Sequence, residues 1–315
     1  MTTNNNIQGT LDIFSTDKKE RTMNNCEILF IYDAKMTNPN GDFDNENKPR
    51  MDYDTERNLV SDVRLKRYLR DYFETNLGKE IFITEKAESA EERLKALGVV
   101  KEEKKDKKTI TTFDKDTLCQ KLIDVRMFGA VLATKGGNDH LTGPIQFNWG
   151  YSLNKVQLCE SSAITSSFSS GEGIGHDYRV KYSLIAFNGS INGSAAEKTT
   201  LSEDDITIFD EAMLKAIPAN RTRSKINQFP RLYIRIEMND NQTFMKDLRE
   251  YVKFIPLIDE YKIENVENYE LDLTDLTDYI SKFDSKIAKI VCWKDDKITI
   301  KGWGKLPQKE EISNL

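Results

Sequence analysis

The apolar positions of this chain change period several times, and each change marks an element. Residues 27–32 (EILFIY) form an apolar, aromatic and β-branched run closed by a turn, the pattern of a central strand buried on both faces. The turn-rich Asn38-Pro39-Asn40-Gly41 then leads through Lys48, Pro49 and Arg50 to a segment with helical spacing that begins near Asn58. At about 100° per residue, Leu65, Tyr68, Leu69, Tyr72 and Phe73 share one half of that helix, and Arg64, Lys66, Arg67 and Arg70 share the other. Later segments alternate with period two. Ile145, Phe147 and Trp149 oppose Gln146 and Asn148; Val180, Tyr182, Leu184 and Ala186 oppose Arg179, Lys181 and Ser183. Leu232, Ile234, Ile236 and Met238 likewise oppose Arg231, Tyr233, Arg235 and Glu237. Between the last two, Ser202 caps a second helix whose buried stripe is Ile206, Phe209, Met213 and Ile217. Residues 290–303 (IVCWKDDKITIKGW) suggest a closing hairpin turned at Asp295 and Asp296.

Strand, basic helix, further strands, second helix and final strand give the order of a ferredoxin-like βαββαβ core, an α+β fold open to many functions. The expected organisation is a flexible leader over 1–24 and one domain over 25–315. Three insertions interrupt it: a charged stretch over 85–110, a Ser- and Gly-rich projecting loop over 161–177, and an acidic helical region over 239–285. The aromatic words of a common RRM are missing, so RNA is not assigned to the sheet face by analogy.

Composition narrows the function. The 315 residues contain no apolar run long enough to span a bilayer and no signal peptide, so a cytoplasmic protein without a membrane partner is expected. Four scattered cysteines and two histidines give no zinc pattern, and neither a metal nor another cofactor is expected. The net charge of −6 hides a polarity. Residues 219–235 carry Arg221, Arg223, Lys225, Arg231 and Arg235 with no acid, whereas 239–284 are crowded with Asp and Glu. No phosphate-loop, nucleophile-elbow or zincin word occurs. Asp42, Asp44, Asp52 and Asp54 fit either a divalent-metal site for RNA cleavage or a loop that pairs with Lys48, Arg50 and Arg57.

A helix half with so few acids favours a polyanion, and Ser61 or Asn58 is placed to cap it beside Arg57, with free N–H groups suited to phosphate. Arg126, a lone cation in the apolar 124–134 segment, must meet a carboxylate or a phosphate. Six words in order, NPNGDFDNENKPR, NLVSDVRLKRYLRDY, DVRMFGA, TGPIQFNWGYSLN, DYRVKYSLIAFNG and RTRSKINQFPRL, closely resemble the backbone subunit of type I-B CRISPR Cascade complexes, the "seven" family of Cas proteins. The resemblance spans about residues 26 to 238. It implies an RRM-like palm with large insertions that binds CRISPR guide RNA, oligomerises along it with further copies and other Cascade subunits, and presents it to target DNA in antiviral defence without catalysis. The expected RNA-facing set is Lys48, Arg50, Arg57, Asn58, Ser61, Arg64, Lys66 and Arg67 for phosphates, with Arg126, Gln146 and Asn148 beside them. Arg179, Arg223 and Lys225 come from the later words, and Ser166 and Phe168 represent the projecting, thumb-like loop. Two alternatives remain: a metal-dependent RNA-cleaving backbone subunit of type III-like complexes, and a self-assembling protein without nucleic acid.

Overall fold

In the computed structural model the described residues are 23–105, 108–134, 137–165, 174–307 and 309–312. The 27–32 run lies inside a longer strand, Cys26–Thr37, which pairs antiparallel with Ile174–Ile191 on one side and Gln228–Met238 on the other. Beyond Ile174–Ile191 stand Ile145–Phe147 and Gly150–Ser152, so the core order is the 4-1-3-2 of a ferredoxin-like sheet. Its two helices are Asp62–Thr75 and Glu203–Ala219. The fold is α+β, as expected.

Both faces of the sheet are covered, and this explains the unbroken apolar run. Ile28, Phe30 and Tyr32 point into a core shared with the two helices, while Leu29 and Ile31 enter a second core made with residues 248–306. Each of these fully buried side chains contributes roughly 1.5–3 kcal/mol over exposure. Double coverage also corrects the alternation over 231–238. Tyr233, Arg235 and Glu237, which oppose the apolar positions, are buried as well.

Other expectations change with the topology. The first helix starts at Asp62, because Asn58 belongs to a short strand, Arg57–Val60. Trp149 leaves the alternation after Phe147 and is exposed. Residues 290–303 do not fold back on themselves: Ile287–Lys294 joins the main sheet beside Gln228–Met238, whereas Ile300–Lys301 pairs in parallel with Tyr269–Asp272 in a separate sheet. The acidic region is less helical than its composition suggests, with two strands, short 3-10 turns and one α-helix, Thr274–Ser281.

Within 85–110, the short helix is Ala90–Ala96 and the charged excursion is a hairpin of Val100–Lys105 with Lys108–Phe113. Over 161–177 the arms are strands: Leu158–Thr165 pairs with the start of Ile174–Ile191. Ser166 and Phe168 lie outside the described residues. Met23, assigned to the leader, is buried, as is Asn25 at the start of the expected domain, which accepts from Gly193 N at 2.9 Å.

Candidate nucleic-acid interface

The candidate surface is built by two asparagines of the NPNG turn. Asn38 is buried; its side chain donates to the Asn47 carbonyl at 2.7 Å and its N–H to the Ser224 carbonyl at 3.0 Å. Asn40 Oδ1 accepts from Ser61 N at 2.8 Å and Ser61 Oγ at 3.0 Å, and Ser61 Oγ in turn caps Arg64 N. Asparagine suits both places because its short amide satisfies nearby backbone groups that no ladder reaches. The turn therefore fixes three segments at once: residues 41–50, the first helix, and residues 222–228.

Around it converge cations far apart in the chain. Lys48 lies 4.9 Å from the centre of the Tyr178 ring and 3.3 Å from Glu46, whose hydrogen bond raises its pKa. Arg50 pairs with Asp42 at 2.9 Å and faces the Trp149 ring. Arg179 donates to the Met36 carbonyl at 2.8 Å and shares Asp177 with the exposed Arg223. Arg64 stacks 4.0 Å over Tyr68, and Lys225 donates to the Asn38 carbonyl. Phe43, 93% exposed, stands on this loop, with Met36, Tyr53, Ile226 and Phe229 also exposed in the connecting segments. Exposed aromatics among cations match what single strands require, phosphate neutralisation beside stacking faces.

Backbone strain gathers here too. Met36, Glu46, Asn47 and Asn227 all have φ between 50° and 71°. Non-glycine residues in that region cost free energy and cluster at functional surfaces.

The structure does not bring the whole expected set together. Asn58 is fully buried, donating to the Arg50 carbonyl and accepting from Ser183, so it cannot touch a phosphate. Lys66 is buried against Asp62 and Gln146 Oε1, and Arg67 is bound to Asp71 and the Ile83 carbonyl. The helix half read as a cationic face is thus mostly turned inward. Arg126 found its carboxylate: Nε and Nη2 engage both oxygens of Asp205 at 2.8 and 2.7 Å. Its role is structural, joining the 123–128 helix to the capped end of the second helix. Arg57 donates to the Ser152 carbonyl and lines a separate open groove of about 650 Å³ with Tyr151, Phe254 and Arg249. Gln146 and Asn148 are exposed, and Asn148 adjoins Trp149.

The loop acids are occupied where their contacts are described. Asp42 holds Arg50, and Asp52 accepts from Thr55 Oγ1 at 2.6 Å. Among the described residues no group of three or more His, Cys, Asp or Glu is placed to hold a metal ion. No described helix is long and apolar enough to cross a membrane. The four cysteines are free thiols, and burial pushes Cys26 up to about 12.

Sequence reasoning missed Asn38 and Asn40 as the organisers, Tyr178 as the aromatic neighbour of Lys48, and Phe43 as an exposed ring on the loop. The Asn-rich turn was a usable signal for the first two. Nothing local marked the others, since Tyr178 reaches Lys48 only through the sheet register.

Residues 24–274 match the family described as CRISPR-associated protein Cas7. The chain belongs to this family. The CRISPR-associated protein Cas7 of Haloferax volcanii is 29% identical over 305 residues, 89% of either chain. Two solved structures described as CRISPR RNA-guided surveillance complexes, one of them pre-nicking, contain similar chains. The pre-nicking one has a TM-score of 0.52 and 13% identity over 92% of this chain and 96% of that one. The other has a TM-score of 0.53 and 14% identity over 91% and 94%. At such identity the likeness speaks for the fold. The span matched to Cas7 contains every cation of the surface built on the NPNG turn.

Proposed function

We propose that this Cas7 chain is a non-catalytic backbone subunit of a type I-B CRISPR RNA-guided surveillance complex in the cytoplasm. Copies of it assemble along one guide RNA with other Cascade subunits, grip the phosphates, and leave the bases to pair with target DNA. Base pairing then reads sequence while the protein reads backbone and shape. The observation that carries this reading is convergence. Lys48, Arg50, Arg64, Arg179, Arg223 and Lys225 come from four distant segments to one strained, aromatic-bearing surface. Ser61 joins them as the cap of the first helix. Leu158–Thr165 pairs with Ile174–Ile191 beside Arg179, with Cys159 opposite it, and on this reading the intervening residues, Ser166 and Phe168 among them, are assigned to reach over a bound strand.

Two measurements test the reading. The purified complex should carry discrete RNAs that share a flanking sequence. Replacing Lys48 and Arg223 by Ala should weaken binding of single-stranded RNA of any sequence and lower its salt slope by about 0.7 per lost contact. An unchanged slope in the folded double variant would remove this surface from the interface. RNA paired to the guide should stay intact with Mg²⁺ or Mn²⁺ present; cuts abolished by Asp44→Asn or Asp54→Asn would establish the nuclease alternative instead.

A further inference from the structure

Two cations of this surface lack what comparably buried cations possess. Lys66, Arg70, Arg126, Arg231, Arg235 and Arg249 each hold an aspartate. Lys225 is half-buried, yet its ammonium donates only to the main-chain carbonyl of Asn38. Arg64 lies over the Tyr68 ring, and its Nε is buried with no hydrogen-bond partner. Among the described residues neither side chain forms an ion pair. From the first helix, Lys225 faces Arg64, with the phenols of Tyr68 and Tyr32 beyond it; from the NPNG turn it meets the Asn38 carbonyl. Gln228, on the strand that follows, donates to Lys225's own carbonyl. The acid beyond Tyr68, Asp71, is held by Arg67 and Asn220 and pairs with neither cation, and two like charges drawn out of water without a counter-ion are unfavourable.

We propose that Arg64 and Lys225 form a clamp for a nucleic-acid phosphate, and that filling it takes up a proton at Lys225, so guide binding weakens as pH rises. The proposal rests on the functional reading above and specifies how one point of that surface works. Burial, with Arg64 adding to it, lowers Lys225 from 10.5 to about 7. Near neutral pH the free protein therefore holds Lys225 partly as an uncharged amine. A phosphodiester beside the pair favours the ammonium and raises its pKa again. Binding then recruits a proton wherever the free amine is neutral, and affinity must fall as pH rises above about 7.

The test measures a labelled oligoadenylate at fixed salt from about pH 6 to about pH 9, a range in which neither adenine nor phosphodiester titrates, so that only protein groups respond. Wild-type affinity should fall roughly three- to tenfold across it, up to the limit set by one proton. Lys225→Arg stays charged and should bind with a flat profile. Lys225→Met should also be flat, at the wild type's high-pH level. Free Lys225→Met should melt at or above the wild type near pH 6, since it loses a buried charge, which separates lost binding from lost folding. A flat wild-type profile, or a slope that survives in both variants, overturns the clamp. If no variant binds RNA at any pH, the functional reading fails. The clamp then rests on competitive labelling of the Lys225 amine with sulfate as the probe. A midpoint near neutrality that sulfate raises supports it, and a midpoint in the ordinary lysine range or unmoved by sulfate overturns it.

Discussion

At the Cys26 end of the first strand, Arg235 donates to both oxygens of Asp210 at 2.9 and 2.7 Å and reaches Glu237 at 3.4 Å, with Tyr233 adding a hydroxyl to the same aspartate. At the Thr37 end, Arg179 and Lys225 rest on the carbonyls of Met36 and Asn38, Lys48 on a tyrosine ring, and Arg223 stands 3.6 Å from an aspartate already held by Arg179. Both ends are rich in arginine and lysine, but only at the Cys26 end are the pairs buried; at the Thr37 end Lys48–Glu46, Arg50–Asp42 and Arg179–Asp177 are partly exposed, and Arg64 and Lys225 form no ion pair. A closed network fixes helix to sheet and offers nothing outward. Cations resting on carbonyls and rings keep most of their field available to an anion. The availability of partners, more than the number of charges, separates structural cations from an interface.

The largest effect should come from opening the closed end. Asp210→Ala leaves the buried Arg235 guanidinium uncompensated and should cost about 3–5 kcal/mol in urea unfolding, while the salt slope of RNA binding by the folded fraction stays unchanged. A loss under about 1 kcal/mol would show that water or a rearranged partner takes over, and the contrast between the ends would dissolve.

Next comes Glu27, at the same end. Burial, opposed by the Met245 N–H and assisted by Asp247, raises its carboxyl from 4.5 to about 7. The folded protein thus holds a proton that the unfolded chain has released. Its contribution is complete below about pH 4.5 and is lost as pH rises to about 7. Stability should drop by on the order of 2–3 kcal/mol over that window, and Glu27→Gln should flatten the curve. Parallel curves for the two proteins would mean that Glu27 is charged throughout.

At the open end the sign of the result changes. Lys48→Ala should leave urea unfolding nearly unchanged, because exposed ion pairs contribute little. It should nevertheless weaken RNA binding at low salt. Arg126→Ala makes the contrasting case, destabilising the fold by about 2–4 kcal/mol through the stranded Asp205 without changing the salt slope. Reversal of this pair of outcomes would exchange their assignments.

The smallest effect on stability concerns the hairpin tip. Replacing residues 166–173 with a two-residue Asn-Gly turn between Thr165 and Ile174 should leave the melting temperature of the monomer nearly unchanged. Ordered assembly on long RNA should suffer, and binding of an oligonucleotide that holds one subunit should suffer less. Filaments of normal length would make the tip dispensable.

The periodic signals carried far in this chain. The continuous apolar 27–32 run announced a strand covered on both sides, and Ser202 with its acidic first turn announced the second helix, whose capping box with Asp205 is present. These depend on neighbours one to four residues away, which is the range over which backbone geometry sets side-chain direction. The six family-like words named the family because order along a chain is itself sequence information. Long-range charge pairing was not legible. Whether Arg126 meets Asp205, Arg70 meets Asp124 or Arg235 meets Asp210 depends on residues separated by 79, 54 and 25 positions. The Arg70–Asp124 contact, with the local pairs Lys66–Asp62 and Arg67–Asp71, took up three of the four helix cations and left Arg64 beside Lys225 without an ion pair. Local sequence determined which segments became strands and helices and which helix acids stood one turn from a cation; the tertiary structure alone decided the long-range matches, because a Coulomb partner is chosen by distance in space.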